Sequence, residues 1–164
     1  MTTIVLCLAV PSVAAAGAVE FAAGRARVIV PLGYTHRVEA DGSLLLMPPR
    51  PDLFAFRLGY DDLARHREAR PNLAIEIVVD AAARKQRPLT RIDGTRYLGF
   101  VEPGGISRRD GETWRNLQGS IAAGGGLLDF TLTIPERHAA SAEVQAFVGG
   151  GMEQLLATVE PAAT

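Results

Sequence analysis

Only one cysteine, Cys7, occurs in this 164-residue chain, and it sits in an apolar run near the start. That scarcity excludes an intrachain disulfide framework, and no histidine lies near Cys7 in sequence to make a Cys–His motif. Lysine is as rare: of the 17 basic residues only Lys85 is a lysine, a bias with no mechanistic content of its own. A dominant charge is also missing. The 17 basic side chains face 18 acidic ones, for a formal net charge of −1, so no global field draws the chain to nucleic acid or acidic lipid. No apolar stretch reaches the roughly 20 residues that a spanning helix needs. Linkers, repeats and low-complexity segments are absent from the sequence as well. What remains is ordinary globular composition, 48% hydrophobic and 21% charged, at a length that suits one domain.

The first eighteen residues, MTTIVLCLAVPSVAAAGA, carry no charged side chain. An apolar run from Ile4 to Val10 is followed by Pro11, Ser12 and small residues. Ala14-Ala15-Ala16 and Ala16-Gly17-Ala18 both satisfy the small-x-small rule of signal peptidase. Residues 1–18 therefore read as a secretory signal whose basic n-region is reduced to the α-amino group, and the expected location is periplasmic or secreted. A buried N-terminal strand is the competing reading of the same residues, favoured by the β-branched and aliphatic content of residues 3–6. Cys7 would leave with the signal. It follows Val5-Leu6 rather than a small residue, so it lacks the setting of a lipoprotein acceptor.

Beyond residue 18, short strand-like runs flank Gly24, the second ending at Pro31. Thr35 to Glu39 and Leu44 to Met47 bracket Asp41-Gly42, a strong hairpin signal because Gly tolerates positive φ. Residues 61–72 form a charged, solvated stretch. The run NLAIEIVVDAAARKQ is strand-like in Ile75, Ile77, Val78 and Val79, but its length, its alanines and its basic end favour a helix over 73–86. Asn72 is its expected N-cap and Pro88 its stop. Asp93-Gly94 marks a second hairpin between Leu89–Ile92 and Tyr97–Val101. EPGGISRRDGET, residues 102–113, reads as a polar loop. Leu128, Phe130, Leu132 and Ile134 then alternate with polar neighbours, the pattern of a strand with one wet face. Residues 141–158 read as the closing helix, with Val144, Val148, Met152, Leu155 and Val159 as its apolar stripe and Gly149-Gly150-Gly151 as a break or a close approach. The fold class expected is α+β: a single domain over 19–164, with an antiparallel β-sheet and a middle helix and a C-terminal helix packed on it.

This order resembles the PsbP/DcrB-like superfamily of small sheet-and-helix sandwiches. The matching parts are the strand ending Val28-Ile29-Val30-Pro31-Leu32-Gly33-Tyr34, the 35–47 hairpin, helix 73–86, hairpin 113–134 and helix 141–158. The resemblance covers roughly residues 19–160 and lies in layout, not in a diagnostic motif. It implies an exported or lipid-anchored envelope protein that acts as an assembly factor, binding module or immunity-like protein. No catalytic or metal-binding residue carries over from it, and a fold analogy raises a prior and nothing more.

A search for chemistry finds little. His36, His66 and His138 lie at no metal-ligand spacing, and no serine has a base nearby in sequence. Asp61-Asp62 are adjacent, so their carboxylates point apart on a strand or loop. Arg84, Lys85, Arg87 and Arg91 form a basic cluster without interleaved aromatics, which suits a helix C-terminus better than nucleic acid. The strongest candidate is the 102–115 segment. Arg108, Arg109, Asp110 and Glu112 are followed at once by Trp114 and Arg115, and Trp and Arg are the side chains most enriched at interface hot spots. The expectation is a protein-binding or scaffolding module without catalytic residues, cofactor or metal, its partner a protein and not nucleic acid, the mature chain not inserted in a membrane. Two rivals stay open: a hydrolase assembled from dispersed His and Asp/Glu residues, and a small-ligand carrier with an apolar cavity between sheet and helix.

Overall fold

Alternation in Ala26–Pro31 sends Ala26, Val28 and Val30 inward while Arg27 and Ile29 face out, and the same period organises each strand of the core. The computed structural model describes residues 15–92, 97–123 and 125–162. Strands β1 (Ala15–Phe21) and β2 (Ala26–Pro31) pair antiparallel, and β10 (Glu160–Pro161) closes this small sheet on the far side of β2. Of the expected signal, residues 1–14 and with them Cys7 lie outside the described residues, whereas Ala15 and Gly17 to Phe21 are in register with β2.

The larger sheet has seven strands in the order β3-β4-β5-β9-β8-β7-β6. These are β3 (Thr35–Val38), β4 (Leu44–Met47), β5 (Ala55–Asp61), β6 (Thr90–Ile92), β7 (Tyr97–Arg109), β8 (Glu112–Ala123) and β9 (Gly126–Pro135), and each neighbouring pair is antiparallel. The Asp93-Gly94 turn expected between β6 and β7 lies outside the described residues, although the two strands do pair. On one face, Leu44, Leu46, Phe56, Leu58, Phe130 and Leu132 meet the inner side of β2 and the C-terminal helical stretch. Phe147 anchors that contact, stacked on Phe54 at 4.4 Å and edge-on to Phe56 at 5.4 Å.

The opposite face takes helix α1 (Leu73–Arg84), whose Ala74, Val78 and Ala82 pack with Leu63, Phe100 and Ala122 in a second, smaller cluster. Helix thus prevails over strand in the 73–86 run. The small residues at positions 74, 78 and 82 sit four apart and form the stripe that lies on the sheet. Asn72 does precede the helix, but as a left-handed residue (φ 68°) whose side chain makes no capping bond; its tolerance of that conformation, not a cap, explains it.

The closing helix is interrupted. Residues Ala142–Ala146 (α2) and Met152–Leu156 (α3) flank a π turn over Phe147–Gly151, in which Gly150 leaves helical geometry at φ 170°, ψ −29°. Of the two roles open to the three glycines, the break is the one observed. The wide turn also shifts the apolar stripe: Phe147 goes into the core and Val148 comes out, while Val144, Met152, Leu155 and Val159 stay buried as expected. The α+β layout, with its middle and C-terminal helices on an antiparallel sheet, is therefore present in the order the PsbP/DcrB-like resemblance implied. Among the described residues no helix is long and apolar enough to cross a membrane.

Candidate functional site

Residues 102–113 are not a loop. They are the outer half of a long hairpin in which β7 and β8 stay paired out to Arg109 and Glu112. The sequence suggests a loop because Pro103-Gly104-Gly105 interrupts the alternation. In the ladder these residues are a β-bulge, with Pro103 opposite Leu117 and Ile106 opposite Arg115, one extra residue on β7. Gly104 is required there, since a Cβ would stand 2.7 Å from the Asn116 Cβ. Asn116 Nδ2 closes the bulge by donating to the Gly105 carbonyl at 2.8 Å. Asp110-Gly111 is the two-residue turn, both residues left-handed (φ 51° and 79°), the geometry that matches strand twist.

The six candidate residues divide into three sets. Glu112 pairs with Arg137, and Arg115 grips Glu136 through two guanidinium nitrogens, Nη2 donating at 2.6 Å. Both partners lie in the 3-10 turn Glu136–His138 that follows β9, so these bonds tie the outer half of the hairpin to the body of the protein. Hydrogen bonding to Glu136, together with its charge, raises the Arg115 guanidinium above its ordinary value. Arg108, Arg109 and Asp110 are exposed at the tip, and among the described residues their side chains have no ion pair or hydrogen bond. Trp114 is half-buried opposite Ser107, and its indole nitrogen is enclosed without a partner among the described residues.

Between this hairpin and the C-terminal helical stretch runs a groove of about 490 Å³, lined by Pro103, Ile106, Leu117, Ile134, Val144 and Val148 among others. Ile106 is 70% exposed and Val148 36%. Sequence reasoning missed both: Ile106 was hidden in an apparent loop, and Val148 in an uninterrupted helical stripe. The Asp-Gly turn, applied at residue 110 as at 41, was the signal that places Ile106 on a strand face. A second apolar groove of about 410 Å³ lies at Ile29, Leu32, Tyr34 and Leu155, between β2 and α3.

Acids do reach two of the three histidines. His66 Nε2 is 2.9 Å from Asp61 and His138 Nε2 is 3.0 Å from Asp52, whereas His36 stands exposed on β3. Neither pair lines either apolar groove. Asp61 and Asp62 turn to separate partners, His66 and the Ala64 amide. Ser120 donates to Asp129, and Ser141 caps α2 by accepting from the Val144 N–H. In the basic cluster Lys85 is committed to Glu102, which is buried and also accepts from Gln118 Nε2 at 2.8 Å. Those hydrogen bonds hold the Glu102 carboxyl below its ordinary value despite burial. A polar cavity of about 200 Å³ adjoins these residues, and in its wall Lys85 is paired with Glu102 and Ser120 with Asp129. No cluster of three metal-ligating side chains occurs among the described residues.

No protein-family model matches the chain, and no curated protein matches it. Solved structures do. A Bacteroides thetaiotaomicron protein aligns over 85% of this chain with 16% identity and a TM-score of 0.57; the chain spans 46% of that protein. Cyanobacterial PsbP from Synechocystis aligns over 92% of this chain and 95% of its own at 9% identity, TM-score 0.43. A Pseudomonas aeruginosa protein of unknown function, described as a putative regulator, aligns over 74% of this chain and 95% of its own at 17% identity, TM-score 0.36. The first of these establishes a shared fold and nothing about activity.

Proposed function

We propose that this chain is an exported protein-binding module that acts through the outer half of the β7–β8 hairpin, without chemistry of its own. One observation carries the reading: the outer hairpin is tied to the turn after β9 by Glu112–Arg137 and Arg115–Glu136, while Arg108 and Arg109 beside its own turn have no carboxylate partner among the described residues. A rigid element that presents unmatched guanidinium groups is suited to bidentate recognition of a partner's carboxylates. An inhibitor of a secreted toxin, bound one-to-one, is a concrete form of this role. Export rests on the uncharged, apolar first eighteen residues and their small-x-small sites.

The test is affinity capture of the C-terminally tagged protein from its host, with intact-mass measurement of the bait and titration of the partner recovered. A bait shortened by about 18 residues and one stoichiometric partner are expected. Replacing Arg108 and Arg109 together with alanine should weaken that partner by about tenfold or more. Unchanged affinity removes the tip from the interface, and a full-length bait removes export.

A further inference from the structure

We propose that the groove between the outer hairpin and the C-terminal helical stretch seats a short segment of the partner protein, one in which an apolar side chain is flanked by carboxylates. This rests on the protein-binding reading above and adds to it the seat and the chemistry of what is seated.

Ile106 and Val148 supply the apolar part of the seat. They stand on opposite walls, one on the hairpin and one on the π turn, over a floor that includes Leu117, Ile134 and Val144. Large aliphatic side chains left exposed within a concavity mark a surface awaiting an anchor, since buried apolar anchors in pockets dominate interface energetics. Nor is this an accident of a mobile loop. The bulge at Pro103–Ile106 aims the Ile106 side chain, and the ion pairs to Glu136 and Arg137 keep the hairpin wall in place.

Charge selects the flanking residues. Every carboxylate near the groove is already matched within the chain: Glu112 by Arg137, Glu136 by Arg115, and Glu143 by Arg50 at 3.1 Å. Arg108 lies two residues beyond Ile106 on the same face of β7, at the open end, and neither it nor Arg109 meets a carboxylate among the described residues. The exception among these neighbouring acids is Asp110, which belongs to the turn itself. A segment entering the groove therefore meets apolar walls and then cations. Leucine or isoleucine followed by glutamate or aspartate complements both, whereas a basic segment is repelled.

The experiment uses two synthetic peptides of about twelve residues, one built of leucine and glutamate and the other with every glutamate replaced by lysine. Each is titrated into ¹⁵N-labelled full-chain protein. The acidic peptide should shift the Ile106, Leu117 and Val148 amides saturably and bind about fivefold or more tighter than the basic one. Arg108→Glu should abolish that preference. Ile106→Asp should weaken binding about tenfold with unchanged melting temperature, because Ile106 is exposed in the free protein. Equal binding of both peptides, shifts confined to other surfaces, or indifference to Ile106→Asp would overturn the proposal. The natural partner separates the two levels. If it resists Ile106→Asp but is lost on Arg108→Ala/Arg109→Ala, the groove inference fails and the protein-binding reading stands. If both substitutions leave it bound, the hairpin reading fails first.

Discussion

Among the described residues the dipeptide Asp-Gly closes two hairpins, and the two tips have opposite fates. At residues 41–42 the turn is folded back on the molecule. The Gly42 N–H bonds the Glu39 carbonyl at 2.9 Å, the Gly42 carbonyl accepts from the Ala22 N–H at 2.8 Å, and Asp41 accepts from both the Ser43 hydroxyl and the Ser43 N–H. Arg57 reaches across from β5 to Asp41 at 2.5 Å and to Glu39 at 3.2 Å. At residues 110–111 the turn projects, and a Cβ on Gly111 would meet nothing within 4 Å. The same local signal thus makes a packed corner in one place and a presented tip in the other. What differs is where the charges go. The docked tip consumes its acids and arginines internally, and the projecting tip leaves Arg108 and Arg109 unspent. The first tip is thereby built into the fold, and the second carries the proposed recognition surface.

The widest gap between the two regions should appear on truncation. Phe56→Ala, in the fully buried core of the sheet that carries the docked tip, should cost about 3–5 kcal/mol in denaturant unfolding. Ile106→Ala on the projecting hairpin should stay within about 0.5 kcal/mol. A large loss at Ile106 would mean that the outer hairpin is part of the core after all. Next comes the place where the long hairpin enters the core. A Cβ at Gly119 would lie 2.3 Å from the Phe100 carbonyl and 2.6 Å from the Phe130 ring, so Gly119→Ala should destabilise by about 1–3 kcal/mol. Gly111→Ala forces a left-handed alanine without a clash and should cost about 1–2 kcal/mol. Partner binding should survive it if the tip register holds.

The smallest effect is the most diagnostic. Hydrogen bonds from Ser43 and then the charge of Arg57 hold the Asp41 carboxyl below its ordinary value of 3.8. A carboxyl depressed in the folded state stabilises the fold above its ordinary value, and that contribution is lost as pH falls through the folded value. Asp41→Asn should therefore lower the melting temperature at neutral pH and flatten its decline below about pH 4. Asp110→Asn should leave the neutral-pH melting temperature where it is, because asparagine also adopts the left-handed turn geometry. Equal effects of the two substitutions would erase the distinction between the tips.

Much of the fold is legible along the chain, and the site is legible in half. Leu128-Phe130-Leu132-Ile134 announces β9 because a half-buried strand must alternate. Asp41-Gly42 announces its hairpin because few residues accept positive φ. The 102–115 segment shows its arginines and tryptophan, but it hides Ile106, because a glycine bulge and a loop look alike until the partner strand is present. The π turn at Phe147–Gly151 is hidden for a related reason: three glycines weaken a helix without stating how it will yield. Which wall Val148 joins then depends on the turn taken.

By itself, then, the sequence determined the α+β class, the helix at Leu73–Arg84, and the presence of the strands and most turns, since these follow from periodicity and from the φ preferences of single residues. Only the tertiary structure decided that one Asp-Gly tip docks and the other projects, and that Glu112 and Arg115 are ion-paired while Arg108 and Arg109 meet no carboxylate among the described residues. It also decided that Ile106 and Val148 face one groove. Each of these outcomes depends on pairings such as β5 with β9 or Arg115 with Glu136, between segments distant in sequence, whose meeting no local preference encodes.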